Sequence, residues 1–413
     1  MQKTHQLENG LTIIVEEMPQ FESVSYDLSV PGGIAYDDDT KIGASLILAE
    51  LTTKGAGIYD AKQLSDAFDE CGISHGEGCG MERYSYRGSL TLKHFNRALE
   101  LVSLMISRPL LPQSEVESIR SLMLQEVRSL KDNPARLASQ LMSAKYFPAP
   151  YSRPAIGTEE GLRAAEKSDL ERLWSSYFKP RGSLLSIAGN VNFHEVILCV
   201  EKFFAAWQGQ ASAKPAYTKF PEPNVYHVPS DSAQLQIVLA YPSANFNDPE
   251  YYAAKVANQI LSGGMFGRLF IEVREKRGLC YSVHSRHSAN ADYGLVQVYA
   301  GTTPERAHET LQVILMELSR LYRSVTEEEL RRAKANLKSA LVIGDESPGA
   351  RATSNSSDWW ISGRIRSLDE IIARIDAVSI ANIDEYVSKY PPKQYTLLTL
   401  GSRDLSQYYS RST

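Results

Sequence analysis

The sequence has no long hydrophobic run. No stretch approaches the ~20 consecutive apolar residues of a spanning helix, so no membrane association is expected. The opening residues Met1–Gly10 are neither a secretory signal nor an Arg/Ser-rich transit peptide, and a cytoplasmic protein is expected. Cysteine is scarce, with Cys71, Cys79, Cys199 and Cys280 in 413 residues and no C-x-x-C spacing. A disulfide framework or cysteine zinc site is therefore not expected. Basic excess is missing too: the formal net charge is -5, which argues against nucleic acid as a partner. Histidines form no cluster. His194-Glu195 lacks the second histidine of a zinc helix, and His284 and His287 fall on a strand or turn. His5, His94, His227 and His308 stand alone.

What is present is ordinary globular composition, 43% hydrophobic and 23% charged. At this length more than one core is expected.

The chain is also written twice, with a period of roughly 210 residues that signifies two related domains. A strand at Tyr84–Thr91, a helix at His94–Met105 and a second helix from Gln113 to about Leu130 answer to a strand at Tyr293–Ala300 and helices at Arg306–Leu321 and Thr326–Leu341. Both long second helices are followed by a proline, Pro134 or Pro348, read as a turn. Each half closes with a helix, a proline and a strand: Leu170–Phe178, Pro180 and Ser183–Gly189, then Ile380–Ser388, Pro391-Pro392 and Tyr395–Gly401. Small, polar and Pro-rich composition marks 208–223 as a linker. Domains at 1–207 and 224–413 are expected. Helix pairs and consecutive strands without strict alternation point to an α+β class with mostly antiparallel sheets.

Two segments bear on chemistry. The first is Gly43-Ala-Ser-Leu-Ile-Leu-Ala-Glu-Leu-Thr-Thr-Lys-Gly55. The second is Ser262-Gly-Gly-Met-Phe-Gly-Arg-Leu-Phe-Ile-Glu-Val-Arg-Glu-Lys-Arg-Gly-Leu-Cys-Tyr-Ser-Val283. Its glycines do not form the G-x-x-x-x-G-K-[ST] phosphate loop.

Together the segments resemble the pitrilysin/insulinase (inverzincin) peptidases. The resemblance implies a LuxS/MPP-like fold, two homologous domains facing each other as a clamshell. In that family the first segment carries His-x-x-Glu-His, whose i and i+4 imidazoles share a zinc and whose glutamate is the general base. Here the framing Gly43 and Lys54-Gly55 remain, but Leu46 occupies the first ligand position, Ala49 the base position and Glu50 the second ligand position. Glu126, 76 residues beyond Glu50, stands where the third ligand is expected. A carboxylate or two without an imidazole make a poor zinc site, so this chain is expected to bind no metal.

His75 lies where the family has Asn-Ala on an edge strand, a candidate peptide contact. In the second segment Arg274 and Tyr281, seven residues apart, match the family's Arg/Tyr pair that holds substrate near the scissile bond. Arg supplies a fork of donors, and Tyr a donor for an oxyanion. A surface salt bridge for Arg274 and a core position for Tyr281 are the structural alternatives.

The resemblance thus implies a chain inactive alone: the non-zinc subunit of a heterodimeric zinc metallopeptidase, with zinc in a homologous partner and peptides as substrates. A structural homologue, like core subunits of respiratory complexes, or a homodimeric peptide-binding protein are the alternatives.

Overall fold

The computed structural model describes residues 2–216 and 219–408. Tyr217 and Thr218, inside the expected linker, lie outside the described residues. Among those described, no helix is long and apolar enough to cross a membrane.

The first sheet has six strands: β1 (Gln2–Gln6), β2 (Thr12–Glu17), β3 (Ser23–Pro31), β4 (Ser74–Cys79), β5 (Arg83–Thr91) and β6 (Leu184–Gly189). Their order is β1-β2-β6-β3-β5-β4, antiparallel except for β2 and β6. The second sheet has five: β7 (Val225–Pro229), β8 (Leu235–Ser243), β9 (Cys280–Ala289), β10 (Gly294–Thr302) and β11 (Thr396–Gly401). They run β9-β10-β8-β11-β7, with β7 and β11 the parallel pair. From its edge inward the first sheet reads β4-β5-β3-β6-β2, so both halves of the sequence build the same sheet. The repeat is a repeat of topology.

Each sheet is covered by amphipathic helices. α1 (Ala44–Leu51), α2 (Phe95–Ser107) and α3 (Gln113–Ser129) belong to the first core. There Leu99, Val102 and Ile106 of α2 join Ile13, Leu28 and Leu185 of the strands. The apolar residues of α2 recur at three- and four-residue intervals, which puts them on one helix face. In the second core α5 (Tyr251–Ser262), α6 (Ala307–Arg320) and α7 (Glu327–Gly344) take the corresponding places.

The two compact units are not contiguous stretches. One comprises Met1–Ser129, Ala149–Thr218 and Gly344–Ile365; the other comprises Leu130–Pro148, Lys219–Ile343 and Arg366–Thr413. The exchanged pieces are α4 (Pro134–Tyr146) and α8 (Pro348–Ser362). Pro134 and Pro348, read from sequence as turns, instead open these helices. Proline suits a first turn, where its missing N–H has no partner to lose. Asn133 and Ser347 cap them by accepting from the amides of Arg136 and Ala350.

The two exchanged helices are chemically unlike. α4 lays Ala138, Met142 and Tyr146, one residue every four, onto Val238, Ala240, Leu398 and Leu400. α8 meets its sheet largely through polar groups. Arg351 donates to Glu16 at 2.9 Å and Asp345 at 2.5 Å, Asn355 donates to Glu16 at 2.7 Å, and Ser356 lies 3.1 Å from Ser29.

Candidate functional site

The first locus is α1. The Asp37 carboxylate caps its N-terminus, accepting from the amides of Gly43 at 2.7 Å and Ser45 at 3.0 Å and from the Ser45 hydroxyl at 2.6 Å. Burial pushes Asp37 up to about 6 despite these donors. Gly43 itself sits at φ +113, conformational space that favours glycine. The helix frame that would carry a metal motif is therefore intact.

Its contents are not those of a metal site. Leu46 is half-buried, while Leu48 and Ala49 are buried in the first core; none of the three supplies a metal donor. Glu50 forms an ion pair with Lys54 at 2.5 Å. It also shares a hydrogen bond with the Glu77 carboxyl of edge strand β4. Glu126 is exposed on α3. Among the described residues no group of three His, Cys, Asp or Glu side chains could hold a metal ion. These residues do not fit zinc.

At this place on α1 the Glu50 carboxyl meets the Lys54 ammonium and the Glu77 carboxyl. Burial acts upward on Glu50, but hydrogen bonds from Lys54 and Glu77 outweigh it and hold its carboxyl below the ordinary range. Burial first, then the hydrogen bond and charge of Glu50, push Glu77 up to about 7. Sequence reasoning missed Glu77. The signal available was the strand period of two, which puts it on the same face as His75. His75 packs its ring 4.2 Å from Phe68, and burial lowers its pKa.

A proton held more tightly by the folded state stabilises it. The Glu77 contribution is fully present below the unfolded glutamate value near 4.5 and is lost as pH rises through about 7. Asp37 contributes with the same sign near 6. His75, His284 and His287, whose pKa values burial lowers, act with the opposite sign, so the test is a difference: the melting temperature of Glu77→Gln relative to the unaltered chain is expected to rise from pH 5 to 8. An unchanged slope in that variant would mean the carboxyl pair does not form in solution.

The second locus is the segment leading into edge strand β9. Phe270–Glu275 winds as a π-helical turn, a form often found at functional sites. Gly278, at φ +59, reverses the chain. The ladder between β9 and β10 then slips between Cys280 and Ser282, so Tyr281 is the extra residue of a β-bulge. Bulges re-aim side chains, and Tyr281 is 78% exposed. It is not a core tyrosine.

The Arg274 guanidinium lies 5.0 Å from both the Phe270 and the Tyr281 ring centroids. It has no ion pair or hydrogen bond among the described residues. Nearby Glu272 is taken by Lys276 and Arg277, each at 2.7 Å. The salt-bridge alternative for Arg274 therefore fails. Cation–π contacts of about 0.5–1 kcal/mol each hold the guanidinium in place and leave its N–H donors free. Phe270 was not singled out from sequence, because its partner is set by the turn. Met265 and Phe266 of the preceding loop are also exposed, with Arg332 over the Phe266 ring at 4.8 Å. His284 and His287 are structural: one ring packs 5.1 Å from Tyr299, and the other's Nε2 lies 3.0 Å from the Ala244 carbonyl.

The chain thus has two α+β units of matching strand order, one with Leu46, Ala49 and Glu50 on α1 and one with the exposed Tyr281 beside the half-buried Arg274. The family described as Insulinase (Peptidase family M16) matches residues 12–159, and that described as Peptidase M16 inactive domain matches 164–337. The chain belongs to the M16 peptidase family. It is 26% identical over 404 residues to the uncharacterized zinc protease YmxG of Bacillus subtilis, covering 96% of this chain and 97% of that protein. Its fold matches a peptidase M16 inactive domain from Pseudomonas fluorescens at a TM-score of 0.90, with 20% identity over 98% of both chains. It also matches a protease from Helicobacter pylori at 0.89, with 19% identity over 97% of this chain and 99% of that one.

Proposed function

We propose that this chain is the non-zinc subunit of a heterodimeric zinc metallopeptidase acting on peptides. It would supply substrate and transition-state contacts to a homologous partner that carries the metal and the base. The observation that carries this reading is the Arg274–Tyr281 pair, a half-buried guanidinium stacked on an exposed tyrosine and unspent in other bonds, in a chain that holds Leu46, Ala49 and Glu50 where the family's metal motif would lie. The Arg274 fork would bind a peptide carbonyl or carboxylate, and the Tyr281 hydroxyl would donate to the oxyanion that develops at the scissile carbonyl.

The test is co-expression with a homologue bearing an intact His-x-x-Glu-His, followed by metal analysis and peptide cleavage. Zinc is expected in the partner and well under one equivalent in this chain. Cleavage is expected only when both chains are present. A full equivalent of zinc here, lost on Glu126→Gln, would overturn the reading. A partner equally active alone would make this chain a structural or peptide-binding homologue instead.

A further inference from the structure

The second unit contains a cavity of about 410 Å³ at one end of its sheet, far in sequence from the α1 segment. Its size lies within the range of small-ligand pockets. The floor recedes because Ala240, Gly294 and Thr396 contribute short side chains or none. The walls are aromatic: Tyr146 from the end of α4, Phe220, Tyr293 and Tyr390. The first three stand edge-on to one another or tilted, with Tyr146 5.8 Å from Phe220 and Phe220 5.8 Å from Tyr293. Walls of this composition suit an aromatic side chain, since aromatic rings prefer edge-to-face or offset contacts with one another.

The polar groups here are nearly all spent. Tyr390 donates to Asp248 at 2.5 Å, and Ser243 lies 2.8 Å from the Tyr386 hydroxyl. At the rim Lys219 and Glu222 pair at 2.8 Å, so their charges offset each other and favour an uncharged occupant. Tyr146 differs from these. It is only 8% exposed and lines the cavity, yet its hydroxyl makes no hydrogen bond with any described residue. Burial, with Tyr293 adding to it, raises its pKa, so it remains a donor throughout the physiological range. The hydroxyl is not sealed from the cavity, so a ligand oxygen can take the place of water as its acceptor.

We propose that this cavity binds an aromatic residue of a peptide, its ring held among the aromatic walls and an adjacent carbonyl oxygen accepting from Tyr146. The proposal rests on reading the chain as a peptide-binding member of its family, and it adds a subsite independent of Arg274.

The probe is N-acetyl-4-fluorophenylalaninamide, titrated into the full-length chain and followed by fluorine NMR. Saturable binding is expected, displaced by N-acetyltyrosinamide but not by N-acetylleucinamide. Tyr146→Phe keeps the ring and removes the donor, and should weaken binding about fivefold. Gln394 lies exposed on the rim, so Gln394→Trp should block entry without disturbing the fold, with the melting temperature as a check. Arg274→Ala should leave the titration unchanged. Absence of saturable binding, equal competition by the leucine amide, or indifference to Gln394→Trp would overturn the cavity proposal. Binding lost in Arg274→Ala would place the probe at the other locus and overturn it as well. None of these outcomes involves zinc or a partner, so failure here leaves the heterodimer reading to its own test.

Discussion

Arg274→Ala and Tyr281→Phe are each expected to lower turnover of the proposed two-chain enzyme about 100-fold, equivalent to about 3 kcal/mol of transition-state stabilisation, while the chains remain associated. The geometry explains why the loss should appear in catalysis and not in folding. Tyr281 is 78% exposed on its bulge, so removing its hydroxyl opens no cavity. Arg274 contributes only stacking to the fold. What both lose is donors that have no other use. Arg274→Lys should also be impaired, because an ammonium cannot present the planar fork or stack between two rings in the same way. Steady-state cleavage of a quenched fluorescent peptide, with association followed by gel filtration, reads the effect. Full activity in both variants would make the pair structural. Activity that falls only because the chains separate would assign the residues to the interface.

Arg351→Ala is expected to destabilise the first unit by about 3–5 kcal/mol, the range for breaking a buried ion pair from one side. Arg351 is 6% exposed. It bonds the carboxylates of Glu16 and Asp345 and the Asn355 amide oxygen. Alanine would leave two carboxylates facing each other with reduced access to water. Arg351→Met would retain much of the packing but not the charge, and should be nearly as damaging. Urea unfolding monitored by tryptophan fluorescence suits the test, since Trp174, Trp207, Trp359 and Trp360 all lie in this unit. A loss below about 1 kcal/mol would mean that α8 is held by its few apolar contacts, such as Ala352 against Met18 and Ala188, and that the ion pairs add little.

The sequence by itself determined which elements form and what the chain lacks. Hydrophobic spacing located α2, α3, α6 and α7 to within a few residues, because a helix buries one face and that face recurs locally. The roughly 210-residue repeat announced two related sheets, now seen in matching strand order. The side chains at the expected metal positions were also legible: Leu46 and Ala49 offer no side-chain donor atoms in any fold. Only the tertiary structure decided the rest. Capping signals mark where α4 and α8 begin, but nothing local to Pro134 or Pro348 says that each helix crosses to the sheet built by the other half of the sequence. That choice depends on distant surfaces, apolar for α4 and lined with Glu16, Asp27 and Ser29 for α8. The approach of Glu50 to Glu77 likewise needs α1 and an edge strand 27 residues further along to meet. The outward aim of Tyr281 needs a ladder partner at Gly301 and Thr302 for the bulge to exist at all. Periodicity is a property of neighbours along the chain, whereas register, exchange and paired carboxyls are properties of neighbours in space.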